Sequence, residues 1–142
     1  QVTLLRFFTV YGPRQRPDMA IHKFTERILQ GKPIPMFGDG STRRDYTYID
    51  DIIQGVVQCV DTPFGYEIFN LGESRTTSLA ELIALVEKHT GKQAHIEQHP
   101  LQPGDVTITH ADIRHARDLL GYAPHFAMDE GIARFVAWYK QQ

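Results

Sequence analysis

The chain opens on a run of apolar positions, Leu4 to Phe8, interrupted only by Arg6. A strand with one wet face alternates, whereas a strand covered on both faces does not. The pattern predicts a strand over 2–10 that lies inside a larger sheet. With it comes the expectation that these residues are a fragment, the C-terminal part of a longer α/β chain. Tyr11-Gly12-Pro13 ends the strand and a polar loop follows, Arg14 to Asp18. Ile21, Phe24 and Ile28 then repeat at helical spacing, which predicts a helix from about Met19 to Gln30 with Asp18 as N-cap and Gly31 as stop. A short strand is predicted over 34–37, a turn at Gly38-Asp39-Gly40-Ser41, and a strand over 44–48.

Asp50-Asp51 opens the next helix, to about Val60, with Ile52, Ile53, Val56, Val57 and Val60 expected inside. Tyr66 to Leu71 reads as a strand. Ser78-Leu79-Ala80-Glu81 is a capping box for a helix that stops near Thr90-Gly91. A strand over 94–98, a short helix capped by Asp112 and ending at Leu120-Gly121, and a final helix from Asp129-Glu130 complete the pattern. Strands and helices alternate, so the expected fold class is α/β, with short mixed-sheet strands and about five helices. There is no internal repeat, low-complexity tract or linker.

Composition narrows the function. The 142 residues fit one domain. Lys plus Arg is 15 against 17 Asp plus Glu. A net charge of −2 argues against a non-specific nucleic-acid binder or a polybasic membrane-surface protein. The single cysteine, Cys59, permits neither an internal disulfide nor a cysteine metal cage, and points to a reducing compartment. No apolar run approaches membrane-spanning length and no signal-peptide pattern stands out, so a cytoplasmic protein is expected.

Several chemistries are absent. There is no Gly-x-Ser-x-Gly elbow, no P-loop and no three-glycine dinucleotide fingerprint. Of the seven histidines, His95/His99 and His110/His115 are too poorly placed to converge on a metal, and none is expected. The positive signal is arginine beside turns: Arg14 and Arg16 after Gly12-Pro13, Arg43 and Arg44 after Gly38-Asp39-Gly40. Guanidinium suits phosphate and carboxylate, and glycine-rich turns expose backbone N–H groups. Surface ion pairs, Arg16 with Asp18 and Arg44 with Asp45, are the plainer account of the same residues. Phe37 offers an aromatic wall or core packing. Asn70 can bond a ligand or cap its strand. Asp105, after Pro103-Gly104, can take two ribose hydroxyls or bond its own turn.

Six segments, taken in order, resemble the extended short-chain dehydrogenase/reductase family of nucleotide-sugar epimerases and dehydratases. They are Phe7-Phe8-Thr9-Val10-Tyr11-Gly12-Pro13, Phe37-Gly38-Asp39-Gly40, Arg44-Asp45-Tyr46, Tyr48-Ile49-Asp50-Asp51, Phe69-Asn70-Leu71-Gly72 and Pro103-Gly104-Asp105-Val106. Arg16-Pro17-Asp18-Met19-Ala20, Lys23-Phe24-Thr25 and Gly131-Ile132-Ala133-Arg134-Phe135-Val136 are similar to the UDP-glucuronate 4-epimerase branch.

The resemblance implies a Rossmann-type enzyme whose C-terminal, substrate-binding part spans residues 1–142, including the last strands of the sheet, while the NAD-binding part lies upstream. Phe7 and Phe8 would pass the nicotinamide end of NAD. Thr9 would help to hold a sugar carboxylate, and Arg16 would be the positive partner on the sugar or phosphate side. Pro35 and Phe37 would contact uracil and Arg44 the diphosphate, with Asn70 and Asp105 on the nucleotide. UDP-glucose epimerases tend to carry Arg near Gln102, and this chain does not. The implied reaction is epimerisation at the fourth sugar carbon by transient oxidation, with NAD as the hydride carrier.

The family's Tyr-x-x-x-Lys pair is missing: four residues after Tyr11, Tyr46, Tyr48 and Tyr66 come Gln15, Asp50, Ile52 and Asn70. The chain alone is therefore expected to be inactive. Its expected partner is a UDP-sugar. The longer protein is expected to be a homodimer, and this chain to self-associate through apolar surface at Leu4, Leu5, Phe7 and Phe8. The alternatives are a dehydratase acting on dTDP- or UDP-sugars, a UDP-glucose 4-epimerase, or, from another class, a non-catalytic nucleotide-binding or interaction module.

Overall fold

The computed structural model describes residues 1–142. Its elements are β1 (Val2–Phe7), β2 (Thr9–Tyr11), α1 (Ala20–Leu29), β3 (Ile34–Phe37), β4 (Arg43–Arg44), β5 (Tyr46–Tyr48), α2 (Ile49–Asp61), β6 (Tyr66–Leu71), β7 (Thr77–Ser78), α3 (Leu79–Thr90), β8 (Ile96–His99), α4 (Arg114–Leu120) and α5 (Met128–Tyr139). The strands form four two-stranded ladders: β1 with β6, β2 with β5 and β3 with β8 are parallel, and β4 with β7 is antiparallel. The α/β class and the five helices match the sequence pattern.

Two predicted strands are each divided in two, and each break has a cause. At Phe8 the chain changes partners. Phe8 N–H donates to Leu71 C=O at 3.0 Å, and Thr9 N–H donates to Asp45 C=O at 3.0 Å. The run over 2–10 therefore leaves the β6 ladder and joins β5. The run over 44–48 breaks at Asp45, whose buried carboxylate accepts the backbone N–H groups of Glu73 (2.8 Å), Ser74 (3.0 Å) and Ala111 (2.9 Å). A carboxylate buried this deeply is retained because its oxygens are met by donors.

Two apolar cores flank this junction. The larger packs α1, α3 and α5 through Ile28, Val86, Phe135 and neighbours, with Tyr11 and Tyr48 from the strands. The smaller gathers Ile52, Phe69, Leu71, Ala116 and Tyr122 from α2, β6 and the α4 region. The Ser78 capping box forms as expected: Glu81 N–H donates to Ser78 Oγ at 3.1 Å and Ser78 N–H donates to Glu81 Oε2 at 2.7 Å. Gly91 closes α3 in the left-handed region at φ +74°.

Three expectations are corrected. Ile113, not Asp112, is the N-cap of α4, although Asp112 Oδ1 accepts the Arg114 N–H at 3.1 Å. Met19, not Asp18, is the N-cap of α1, and no side chain caps it, because Asp18 is engaged by Arg16. Along α2 only Ile52 is fully buried among the five residues expected inside, and Val56 is half-buried. Ile53, Val57 and Val60 are exposed, Val60 at 78%. The helix has two apolar stripes, and β6 and α4 cover only the one through Ile52, Val56 and Cys59. Val2, Leu4 and Phe7 of β1 and Tyr66 of β6 are also exposed, while Leu5 and Phe8 are half-buried against the smaller core. No helix is long and apolar enough to cross a membrane.

Candidate functional site

The turn after β2 shapes the first cleft. Gly12 sits at φ +147°, where an added Cβ would run into Ile49. Gln15 N–H donates to Gly12 C=O at 3.1 Å, and Gln15 Nε2 donates back to Val10 C=O at 3.0 Å. Arg14 is held at φ +66°, an uncommon conformation for a residue with a side chain. The loop is thus folded on itself, and beside it opens a cleft of about 900 Å³. Phe7, Phe8, Thr9, Arg14, Arg16 and Thr109 are among its walls. Four of the sequence-predicted residues (Phe7, Phe8, Thr9 and Arg16) therefore meet in one place. Arg16 is held there by Asp18, through Nε at 3.1 Å and Nη2 at 2.9 Å.

The second cleft is smaller, about 230 Å³, and brings together Pro35, Phe37, Arg44 and Asp105 with Asp18 and Lys23. Strand β3 supplies the proline and the aromatic ring, and the ring is tilted 31° against His99 with centroids 5.3 Å apart. Arg44 is paired with Asp105, Nη2 to Oδ1 at 2.6 Å, not with adjacent Asp45, which is committed to backbone N–H groups. Arg43 has a structural part: it donates to Thr76 Oγ1 and C=O and to Glu81.

The two clefts lie on either side of the start of α1. Arg16 and Met19 face the first, Asp18 and Ala20 the second. The first turn of this ten-residue helix carries no acidic residue, and its N–H groups have no carbonyl partner within the helix. Such a terminus favours anions.

Asn70 does not join the others. It lines neither cleft, and its Nδ2 donates to Asp112 C=O at 3.0 Å in a separate polar depression with Arg6 and Arg114. Lys23 was missed. Ala20, Lys23 and Phe24 share one side of α1 at i, i+3 and i+4, a polar position hidden within the apolar stripe. The buried carboxylates of Asp45 and Asp51 were also missed, since each reads as ordinary loop or helix-start chemistry. Asp51 accepts the N–H groups of His125 (3.1 Å) and Phe126 (3.0 Å). Glu73 lies near both, and its carboxyl is pushed up to about 7, first by burial and then by the negative charge of Asp51 and Asp45. No Tyr-x-x-x-Lys spacing occurs. The two clefts hold donors, a flat apolar wall and three arginines beside Thr9, which is binding chemistry.

Residues 1–72, half the chain, match the NAD dependent epimerase/dehydratase family, and the chain belongs to it. It is 43% identical over 141 residues to the UDP-glucuronate 4-epimerase of Thermodesulfobacterium geofontis, covering 99% of this chain and 43% of that protein. The structure of the Bacillus cereus UDP-glucuronic acid 4-epimerase, solved with UDP-glucuronic acid and NAD, superposes with a TM-score of 0.92 at 42% identity. That match covers 98% of this chain and 45% of the other. The Thermotoga maritima UDP-glucose 4-epimerase, solved with UDP-glucose, gives 0.91 at 34% identity over 98% and 46%. The chain thus spans less than half the length of the relatives it matches.

Proposed function

We propose that this chain is the C-terminal, substrate-binding part of an NAD-dependent UDP-sugar 4-epimerase that interconverts UDP-glucuronate and UDP-galacturonate. One observation carries the reading: the start of α1 separates a cleft holding Thr9 and Arg16 from a cleft holding Pro35, Phe37, Arg44 and Asp105. A UDP-sugar has the matching layout. Its uracil packs beside Pro35 and Phe37, its diphosphate meets Arg44 and the α1 N–H groups, and its sugar lies toward Thr9 and Arg16. A sugar carboxylate gains a fork from Arg16 and a hydroxyl from Thr9, which a sugar hydroxymethyl does not use as well. Binding energy remote from the reacting carbon holds the oxidised sugar while it turns.

Phe7 and Phe8 fit NAD as one wall. Phe7 is half-exposed beside Phe8 at the same cleft, a flat apolar surface suited to one end of a planar ring. When bound, NAD supplies reversible hydride acceptance at the fourth sugar carbon. The proton-transferring group and the rest of the NAD site belong to a preceding part of a longer protein. The exposed apolar stripe of α2 and the exposed side chains of β1 support such a part, as does the coverage of relatives by less than half. In this reading Asn70 bonds Asp112 and has no ligand.

The test uses the longest reading frame that contains these residues. The purified protein is incubated with UDP-glucuronate without added NAD and followed by NMR. Appearance of UDP-galacturonate is the expected result. Turnover of UDP-glucose or a dTDP-sugar alone would return Thr9 and Arg16 to structural parts. No turnover of any sugar nucleotide would favour a binding module.

A further inference from the structure

The loop between β2 and α1 carries Arg14 and Arg16 into the first cleft, and the residue between them is fixed at three points. Gln15 N–H donates to Gly12 C=O at 3.1 Å, and Gln15 Nε2 donates to Val10 C=O at 3.0 Å. These two bonds reach back toward β2. The third reaches forward: the ring Nδ1–H of His22, in the first turn of α1, donates to Gln15 C=O at 2.9 Å. A carbonyl oxygen only accepts, so this bond sets the proton on Nδ1. The imidazole is oriented in turn by α5. Its ring centroid lies 5.3 Å from that of Tyr139, 5.8 Å from Phe135 and 6.3 Å from Trp138, all at steep interplanar angles. Phe135 is fully buried, and Trp138 and Tyr139 pack on the larger core. His22 itself lines neither cleft. Arg14, at φ +66°, needs this support, because a left-handed residue with a side chain persists only where its surroundings over-determine it.

We infer that His22 is a positioning residue for the first cleft: through Gln15 it sets where Arg14 and Arg16 stand before a ligand arrives, without touching the ligand. The proposal rests on the nucleotide-sugar reading above. Without the imidazole donor, Gln15 C=O turns to water and the loop keeps only its ties on the β2 side. Arg14 is then released toward ordinary negative φ. Arg16 stays clamped to Asp18 through two bonds, so the pair shifts together with the loop. A sugar carboxylate must now order this loop as it binds, which weakens binding in proportion to the freedom lost. The contact lies away from the reacting carbon and is felt alike by the bound sugar and by the transition state. Its loss therefore raises KM and spares kcat. The other parts of the site do not depend on Gln15. Thr9 N–H is held by Asp45 C=O at 3.0 Å, and Arg44 is held by Asp105 in the second cleft. The effect of His22 is thus confined to the sugar side of the ligand.

The test uses the longest reading frame that contains these residues, as wild type, His22→Phe and His22→Asn. His22→Phe keeps an aromatic ring against Phe135, Trp138 and Tyr139 and removes only the donor. His22→Asn restores a side-chain N–H at similar reach. Turnover of UDP-glucuronate gives kcat and KM, and titration calorimetry with uridine diphosphate, which has no sugar to meet Arg16, reads the second cleft alone. The expected result for His22→Phe is a KM raised about three- to tenfold, the worth of one hydrogen bond, with kcat within about twofold of wild type and uridine diphosphate binding unchanged. The rise in His22→Asn is expected to be smaller. A KM that stays at the wild-type value, a rise no smaller in His22→Asn, or a loss that falls equally on uridine diphosphate overturns the positioning proposal while leaving the nucleotide-sugar site standing. No turnover of UDP-glucuronate by the wild-type protein sinks the reading on which it rests, and the proposal with it.

Discussion

Phe126 N–H donates to the carboxylate of Asp51 at 3.0 Å. Asp51 belongs to the helix that builds the smaller core, and Phe126 to the larger core. This carboxylate, fully buried and also holding His125 N–H at 3.1 Å, joins the two halves of the molecule. Replacing it with alanine leaves the buried Phe126 N–H and the half-buried His125 N–H without an acceptor. Asp51→Ala is expected to cost about 2–4 kcal/mol, and Asp51→Asn, which keeps one acceptor oxygen, less. Urea unfolding of the three proteins measures this. Equal midpoints for Asp51→Ala and wild type would contradict it.

Gly131 is where α5 passes over Tyr11. An added Cβ would drive into the Tyr11 hydroxyl, and the ring is buried with little room to move. Gly131→Ala is expected to destabilise by about 2 kcal/mol or more through overpacking. Gly65→Ala meets nothing within 4 Å and serves as the control, expected within about 0.5 kcal/mol of wild type. Thermal melts that rank the two variants the other way would contradict the packing.

Glu73 gives the fold a pH dependence with a definite sign. Its carboxyl is raised from 4.5 to about 7 by burial and by Asp51 and Asp45, against weaker opposition from Arg75 and His125. Between those two values the folded chain keeps a proton that the unfolded chain has released. Stability therefore falls as pH rises through that window and levels off above about 7. Glu73→Gln removes this slope. The variant is expected to match wild type near pH 4 and to exceed it above pH 7 by on the order of 1–3 kcal/mol. A constant difference across the range would show that Glu73 keeps its ordinary titration in the fold.

Much of this was legible from residues alone, and the misses have physical causes. The Ser78-to-Glu81 spacing and Gly91 bounded α3 because capping is local chemistry. The break at Phe8 was invisible, because nothing in an apolar run marks where a strand changes partner. The burial of Ile53, Val57 and Val60 was overestimated, since hydrophobic pattern reports which faces are apolar and not which are covered in this chain. Pairing Arg44 with Asp45 failed for a related reason: the neighbour in sequence was already committed, and the partner came from sixty-one positions away. Thr9 lies with Arg16, and Pro35 and Phe37 lie with Arg44 and Asp105, whereas Asn70 and Asp105, read together as nucleotide contacts, lie apart.

Exposed Leu4, Val57 and Val60 leave apolar surface on β1 and α2. The isolated chain is expected to self-associate as concentration rises, and Leu4→Lys combined with Val57→Lys to shift it toward monomer. Sedimentation velocity reads this directly. A clean monomer of the unmodified chain at high concentration would contradict the expectation.

The division of the ligand between two clefts is tested most directly by a backbone NMR titration of the chain with UDP-glucuronate. The expected result is that shifts change around Thr9 and Arg16 on one side of the α1 start and around Phe37, Arg44 and Asp105 on the other, with the Arg44 side responding to uridine diphosphate alone. Shifts confined to the depression around Asn70 and Arg114, or an Arg44 side that stays silent, would contradict it.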